Sequence, residues 1–399
     1  MKMFKKFSLS VIVFGGLMNG TLVSAATYDL FLEKDNEVLI REFTYFEQYS
    51  DKKVSYFSVV KLLKEQKFKE AENNILVLLE KTPNDSMLYD LRAMLAMLQG
   101  DSKLAKQNYL IALEKNNVDK LAFFGLAGIE KENQQYEKAI DYCRQALKID
   151  GSYVNAQITL AEIALLKGKY SEALEYAMTA YGYADGKLKE QVKVAKVLKS
   201  IYLINNDFSK VNDLVNGILK KYPNQQEVLF FVIESHINVG QIDEAQKVLK
   251  KIIANDSKDI KSRLLLASLL NKQGGNDKEV LHLLDEVEVI NPRDRSLFAI
   301  KSAYYISKNE LDKALNSANE LRQLVPTNSL SYRIEGEVYK ARHELKKAQI
   351  AYKSAYDLTP NSKLLFIVVD LMVLQKNADQ AIELLSLSLN EKNIKKLDV

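Results

Sequence analysis

Residues 329–362 read SLSYRIEGEVYKARHELKKAQIAYKSAYDLTPNS, and this stretch decides the fold. Tyr332, Gly336 and Tyr339 are spaced by four and three residues, so they lie on one face of a helix. A glycine between two tyrosines leaves room on that face for another helix to approach closely. The first half of the stretch therefore predicts an amphipathic helix that packs tightly through a small residue.

The second half of the stretch predicts another helix that returns along the first. Ala348 and Ala355 share one face of it, with an aromatic residue between them. We expect Ala348 to lie where the two helices cross and Ala355 to contact the next hairpin. Pro360 ends the helix, because proline has no N–H and its ring clashes with the preceding turn. Asn361 or Ser362 is then placed to cap the helix that follows.

The same pattern recurs at a fixed period along the chain. Pro292, Pro326 and Pro360 are evenly spaced at this period, which equals the length of the stretch quoted above. Small residues keep the same spacing in both halves of the chain: Ala71, Ala105, Ala139, Ala173, Ala314 and Ala348. Ten units can be aligned between about residues 52 and 390. A fixed period of this length is typical of a solenoid of helical hairpins, in which each repeat packs on its neighbours.

The period is interrupted twice. Ala173 and the equivalent Val211 are four positions farther apart than one period, so four residues are inserted, and we place them near residues 181–186. Gly274-Gly275 adds one residue in the seventh unit. The first interruption, after Ala180, has two interpretations: a hinge between two halves of the chain, or a longer turn without a function.

The order of residue types in each unit resembles the tetratricopeptide repeat: a large residue, a small residue and Tyr, then Ala, an aromatic residue, Ala and Pro. The resemblance covers about 340 of the 399 residues, and the Sel1-like and pentatricopeptide repeats are the related alternatives. It implies an all-α, right-handed superhelical solenoid of about ten hairpins. It also implies a scaffold for protein–protein interaction, whose first helices line a concave groove.

Residues 1–25 are typical of a signal peptide. A lysine-rich start precedes an apolar stretch, Phe7–Met18, and the small residues of Val23-Ser24-Ala25 occupy the positions that a signal peptidase reads. The apolar stretch is short for a transmembrane anchor, which is the alternative. We therefore expect an exported bacterial protein that is periplasmic, or else secreted, with no transmembrane segment in the mature chain.

The sequence thus predicts four segments. They are a signal peptide over 1–25, an amino-terminal capping segment over 26–51, units 1–4 over 52–185, and units 5–10 with a terminal cap over 186–395.

Charge and cysteine content exclude several classes of protein. Removal of residues 1–25 lowers the 56 basic residues to 53, against 52 acidic residues, for a net charge of +1. A nearly neutral chain does not favour nucleic-acid binding. Cys143 is the single cysteine, so no intramolecular disulfide can form. We expect this thiol to be a buried packing residue.

No arrangement of residues indicates catalysis, a metal or a cofactor. His236, His282 and His343 fall in different repeats and lack metal-ligand spacing. Gly274-Gly275 lacks the frame of a phosphate-binding loop. We therefore expect a protein that is not an enzyme, with no catalytic, cofactor-binding or metal-binding residue.

The implied groove allows candidate partner-binding residues to be selected by their periodic positions on the first helices. They are Tyr56, Val60, Met87, Asp90, Met94, Met97, Leu121, Phe124, Ile158, Glu162, Lys196 and Phe230. Most are apolar, which favours an amphipathic helix or an extended apolar segment as the ligand. The alternative is that many of them belong to the core between helices.

Three functions remain open at this stage. The first is a periplasmic scaffold that binds a protein partner and supports a cell-envelope complex, as in polysaccharide export, pilus assembly or outer-membrane biogenesis. The second is an accessory protein that binds a polysaccharide or another extended ligand directly. The third is a secreted effector that binds a host protein.

Overall fold

The computed structural model describes residues 54–274 and 276–390, and these residues form twenty α-helices and no β-strand. In chain order the helices are α1 Val54–Lys64, α2 Phe68–Lys81, α3 Ser86–Leu98, α4 Ser102–Lys115, α5 Lys120–Glu132, α6 Tyr136–Ile149, α7 Val154–Leu166, α8 Tyr170–Tyr183, α9 Leu188–Ile204, α10 Phe208–Lys221, α11 Gln226–Asn238, α12 Ile242–Asn255, α13 Ile260–Lys272, α14 Asp277–Ile290, α15 Arg295–Ser307, α16 Leu311–Leu324, α17 Ser329–Ala341, α18 Leu345–Leu358, α19 Ser362–Leu374 and α20 Ala378–Asn390. Odd-numbered helices are the first helices of hairpins and even-numbered ones the second. This is the predicted all-α helical-repeat solenoid.

The repeat period is the length of one hairpin with its two turns. First helices such as α3, α5 and α7 have 13 residues, and second helices such as α4, α6 and α8 have 14. A turn of three residues joins the two helices, and a turn of four residues leads to the next hairpin. Because nearly every hairpin has these lengths, equivalent side chains recur at one spacing along the chain.

Short polar side chains start many of the first helices. Asp119 caps α5 by accepting hydrogen bonds from the backbone N–H groups of Leu121 and Ala122. Asn361 caps α19 by accepting from the N–H of Leu364 at 2.9 Å, which confirms one of the two predicted caps. α18 ends at Leu358, just before Pro360, as the sequence predicts.

The turn inside each hairpin places its middle residue in the left-handed region. Gly100 and Gly168 occupy this position with φ of 80° and 71°, whereas Gln134 occupies it with φ of 60°. After it, the N–H of the next residue bonds to the carbonyl five residues back, as from Asp101 to Ala96 at 2.9 Å. The same position recurs in all ten described hairpins, where non-glycine residues hold it six times.

The four inserted residues lie in a helix and not in a turn. The turn between α8 and α9 has the usual four residues, 184–187, but α9 has 17 residues where other first helices such as α7 have 13. The interpretation as a longer turn is therefore wrong, because the insertion continues the i to i−4 hydrogen-bond pattern as one extra helical turn. The hinge stays a prediction. The second interruption falls between α13, which ends at Lys272, and α14, which begins at Asp277, within the seventh hairpin as expected.

Two compact units divide the described residues between Ser235 and His236, within α11. Each is a run of helical hairpins packed in sequence order. The boundary predicted between residues 185 and 186 separates the first four repeats from the others, and it stays a prediction. The predicted signal peptide, the capping segment over 26–51 and residues 391–395 lie outside the described residues.

Each second helix packs between its own first helix and the next one. α4, for example, contacts both α3 and α5. Its Tyr109 is buried with Ala105 and Ala112 in a cluster that reaches Ala122 and Leu126 of α5. The small residues leave space for the aromatic ring, which fills the interface between two hairpins.

Two helical glycines make room for these buried tyrosine rings. A Cβ on Gly125 would overlap the ring of Tyr109, and a Cβ on Gly336 would come within 2.8 Å of the ring of Tyr352. Gly336 was expected to be small because the two helices cross closely there. The structure gives a more specific reason, which is that the ring of Tyr352 from the second helix lies over it.

Candidate protein-interaction surface

First helices adjoin one another within the unit of residues 54–235. α5 contacts α7, and α7 contacts α9, in addition to the contacts that each makes with second helices. The side of a first helix that faces the following first helix is therefore covered. This packing decides which of the predicted groove residues can meet a partner.

Seven of the twelve predicted groove residues are buried, namely Tyr56, Val60, Asp90, Met94, Leu121, Phe124 and Ile158. As residues on an exposed groove wall they are misplaced, since the surrounding helices and turns cover their side chains. Tyr56 illustrates this, because its hydroxyl donates a hydrogen bond to Asp85, the residue that caps α3. The alternative stated with the prediction, that many of these residues form the core between helices, describes these seven.

Phe124 shows how the next hairpin covers a residue that was predicted to line the groove. It is the fifth residue of α5 and only 1% of it is exposed. Its ring meets the ring of Tyr153 edge to face at 5.5 Å between centroids, just before α7 begins. Cys143 of α6 and Leu160 of α7 belong to the same cluster. A partner could reach Phe124 only by displacing the following hairpin.

The remaining five predicted residues keep some accessible surface. Met87, Met97, Glu162 and Phe230 are half-buried, and Lys196 is exposed. Met87 and Met97 border the core cluster of α1 and α3, so one edge of each thioether side chain reaches the surface. Whether these five side chains bind a partner stays a prediction.

Ion pairs link neighbouring first helices to one another. Lys131 Nζ of α5 lies 2.7 Å from Glu162 Oε2 of α7, and Lys199 Nζ of α9 lies 2.8 Å from Glu234 Oε1 of α11. The sequence analysis missed these pairs. Opposite charges placed about one repeat apart on first helices were the available signal, since such residues become spatial neighbours in a solenoid.

The Lys199 pair is the most buried of these links. The side chain of Lys199 is 4% exposed and that of Glu234 is 26% exposed. The Lys199 Nζ atom also lies 5.5 Å from the ring centroid of Phe231. Burial lowers the pKa of Lys199 below its ordinary value, while the nearby Glu234 carboxylate acts in the opposite direction.

A basic stripe runs along α9, formed by Lys189, Lys193 and Lys196. Their spacings of four and three residues put them on one helical face. Lys189 and Lys196 are exposed and Lys193 is half-buried. Lys189 lies in the first turn of this unusually long helix. The term first-helix surface is used below for this stripe together with Met87, Met97 and the Lys131–Glu162 pair.

The cysteine and two of the three histidines considered in the sequence analysis lie within the helices and turns of the repeats. Cys143 is fully buried as expected, and burial raises the pKa of its thiol to about 12. His236 Nδ1 lies 2.8 Å from Gln241 Oε1, and His343 occupies a left-handed turn. Among the residues that the structure describes, no group of three or more His, Cys, Asp or Glu side chains could hold a metal ion.

Family models give the decisive comparison. Tetratricopeptide repeat models match residues 91–154 and 131–180, which together span α4 to α7 and most of α3 and α8. Residues 91–180 of the chain thus form tetratricopeptide repeats. Repeats of this kind generally serve as binding scaffolds, in agreement with the surface described above. Over the described residues, none of the helices combines the length and the apolar character needed to cross a membrane.

Individual curated relatives resemble only parts of the chain. Protein O-mannosyl-transferase TMTC1 of Homo sapiens is 25% identical over 53% of the chain and 24% of the transferase. A TPR repeat-containing protein of Methanocaldococcus jannaschii, MJ0263, is 31% identical over 24% of the chain and 28% of that protein. The chain thus spans about a quarter of the length of these curated relatives.

One solved structure matches a larger part of the chain than these relatives do. The tetratricopeptide repeat protein of Parabacteroides merdae is 16% identical with a TM-score of 0.46, and the match covers 72% of this chain and 99% of that one.

Proposed function

We propose that this protein is an exported, periplasmic scaffold that supports a cell-envelope complex by holding a protein partner on its first-helix surface. The proposed role is non-catalytic. The segment typical of a signal peptide supports export, and the repeats support a protein ligand.

One observation carries the choice of surface. The basic stripe of α9 is exposed at Lys189 and Lys196, whereas the charges on the neighbouring first helices are joined in the Lys131–Glu162 and Lys199–Glu234 pairs. A partner segment with acidic residues along one side would complement the stripe. Apolar residues beside them would meet the half-buried methionines, since thioethers adapt to varied apolar ligands.

Crosslinking in living cells, followed by purification of the tagged chain and mass spectrometry, tests the proposal. We expect an envelope protein to be captured by the wild type and lost with Lys189→Glu/Lys196→Glu. Lys220→Glu is the matched control, because Lys220 is an exposed lysine on the second helix α10. It should capture the partner as the wild type does.

Three outcomes would overturn the proposal. Equal capture by the double variant and the control would place the partner elsewhere. Co-purification of a polysaccharide in place of a protein would favour direct binding of an extended ligand. Recovery of the chain from the medium with a host protein would favour a secreted effector.

A further inference from the structure

The position of the four inserted residues within α9 follows from the end of that helix. Tyr202 is the third residue from the end of α9, as Tyr339 is from the end of α17. Lys210, eight residues later, has its Nζ atom 5.7 Å from the ring centroid of Tyr202. The equivalent distance from Lys347 Nζ to the ring of Tyr339 is 5.5 Å, so the two helix ends are equivalent. Because α9 has 17 residues and α17 has 13, the extra turn consists of residues 188–191.

A helical turn in this position needs a contact that holds it. The first N–H groups of a helix have no carbonyl partner within it, and the side chain of Lys187, the residue before α9, caps none of them. Lys189 adds a positive charge at the end of the helix that disfavours cations. Glu190 pairs with Lys187 at 3.4 Å, but exposed ion pairs of this kind contribute little. These features alone would leave residues 188–191 free to unwind.

Gln191 supplies the contact. It is the one buried residue of the extra turn, with 3% of its surface exposed. Its Oε1 atom accepts hydrogen bonds from the Tyr222 hydroxyl at 3.0 Å and from Lys221 Nζ at 3.3 Å, both at the end of α10. Its Nε2 atom donates to Asp185 Oδ1 at 3.5 Å, in the turn before α9. Lys221 and Asp185 also form an ion pair, so a single buried amide joins α9 to that turn and to α10.

The buried amide and the basic stripe lie on opposite sides of α9. Gln191 is two residues from both Lys189 and Lys193, which is about 200° around a helix. Loss of the hydrogen bonds of Gln191 therefore removes no lysine of the stripe. It releases the turn that carries Lys189.

We infer that Gln191 is a positioning residue for the first-helix surface. It fixes the extra turn so that Lys189 stands in line with Lys196, and a partner segment with carboxylates on one side can meet both. The two lysines are seven residues apart, or about 10 Å along the axis, and this separation exists only while the first turn of α9 is helical. The inference deepens the proposed function and rests on it, because it takes the basic stripe as the part that meets the partner.

Hydrogen exchange followed by mass spectrometry tests whether Gln191 holds the extra turn. The N–H groups of residues 191–194 bond to the carbonyls of residues 187–190, as from Gln191 to Lys187 at 2.8 Å. They should exchange at least about tenfold faster in Gln191→Leu, while α10 keeps its protection. Gln191→Glu is the matched control, because its carboxylate keeps the acceptor for α10, and its exchange should stay near that of the wild type. Unchanged exchange in Gln191→Leu would overturn the inference and leave the proposed function standing.

Binding of poly-L-glutamate to the purified chain at low ionic strength tests the consequence for the surface. Lys189→Ala should weaken this binding roughly threefold in the wild-type background, since one exposed charge contact is lost. In the Gln191→Leu background the same substitution should change the dissociation constant by less than about 1.5-fold, because Lys189 is then already out of position. In the Gln191→Glu background the effect should return to roughly threefold.

Two results of the binding experiment would overturn the positioning role. One is an effect of Lys189→Ala that is the same in all three backgrounds, because the stripe would then act without the buried amide and the proposed function would stand. The other is equal binding by the wild type, by Lys189→Glu/Lys196→Glu and by the control Lys220→Glu. That result would remove the first-helix surface as the binding site, and the proposed function with it.

Discussion

Cys143 shows how far burial alone controls the chemistry of a residue in this protein. The thiol occupies a position on α6 where other second helices carry an aromatic residue, such as Tyr109 on α4. It packs with Phe124, Ala146 and Leu160 and has no exposed surface. We therefore assign Cys143 a role in packing between hairpins.

We predict that Cys143 resists alkylation in the folded protein. Burial raises the pKa of the thiol to about 12, so roughly one thiol in ten thousand is ionised at pH 8. Iodoacetamide should modify it at least a hundred times more slowly in native buffer than in concentrated urea, as followed by mass spectrometry. Equal rates in the two solvents would mean that the thiol is accessible.

The buried pair of Lys199 and Glu234 should respond unequally to removal of either partner. Glu234→Gln leaves a charged ammonium in the interior and should cost about 3 kcal/mol in the free energy of unfolding. Lys199→Met should cost much less, because Glu234 retains contact with water and the methionine side chain fills a similar volume. Chemical denaturation of the two variants makes the comparison, and equal losses would contradict it.

The same pair gives a pH dependence. The folded-state pKa of Lys199 is lowered, so between that pKa and the ordinary lysine value the unfolded chain binds more protons than the folded chain. Stability from this residue therefore rises with pH in that window. The destabilisation caused by Glu234→Gln should accordingly shrink as pH is raised toward 10. The Lys199→Met/Glu234→Gln double variant, which lacks the lysine, is the control and should not show this change.

At the scale of the helix, the surroundings of a glycine decide the effect of one substitution. Gly125→Ala should destabilise the protein by about 1–3 kcal/mol, because the added methyl group overlaps the ring of Tyr109. Gly217→Ala in α10 should stabilise it by about 0.5–1 kcal/mol, because a Cβ there meets no atom within 4 Å. Urea unfolding monitored by circular dichroism measures both, and the same sign for the two variants would contradict the packing.

At the turns, the left-handed middle residue offers another test. Gln134 has φ of 60° where several other hairpins carry glycine. Gln134→Gly should stabilise the protein by about 0.5–1 kcal/mol, because relief of backbone strain exceeds the entropy lost by glycine on folding. Gln135→Gly is the control, since Gln135 has φ of −85°. That neighbouring substitution should give no increase in the urea midpoint.

For the molecule as a whole, contacts between adjacent hairpins make the effect of a core substitution local. Phe124→Ala should cost about 3–5 kcal/mol by opening a cavity between α5 and α7. Because each hairpin packs mainly on its neighbours, the loss should concentrate near the cavity. Hydrogen exchange should speed up in α5, α6 and α7 while α10 keeps most of its protection. A uniform increase over residues 54–235 would indicate cooperative unfolding of the whole unit.

The period in the sequence was sufficient to predict the hairpins, their number and several of their boundaries. Asn361 caps α19 and Pro360 follows α18, because capping and helix termination depend on residues within one turn of each other. The residue added near Gly274 falls in the seventh hairpin, between α13 and α14, as the sequence predicts. One interpretation of the sequence placed the four residues inserted before Val211 in a longer turn, whereas they lengthen α9. A helix and a turn can each accommodate an insertion, and no local feature of the sequence distinguishes the two.

The candidate site was less predictable, for a reason that Phe124 and Phe366 make clear. The two residues hold the same position in equivalent helices, yet one is buried and the other exposed, because burial depends on the first helix of the following repeat. The sequence by itself determined the repeating hairpins, whose interactions are local. Only the tertiary structure decided which faces are covered, which charges pair between repeats and where apolar surface remains, because those outcomes require the positions of neighbouring hairpins.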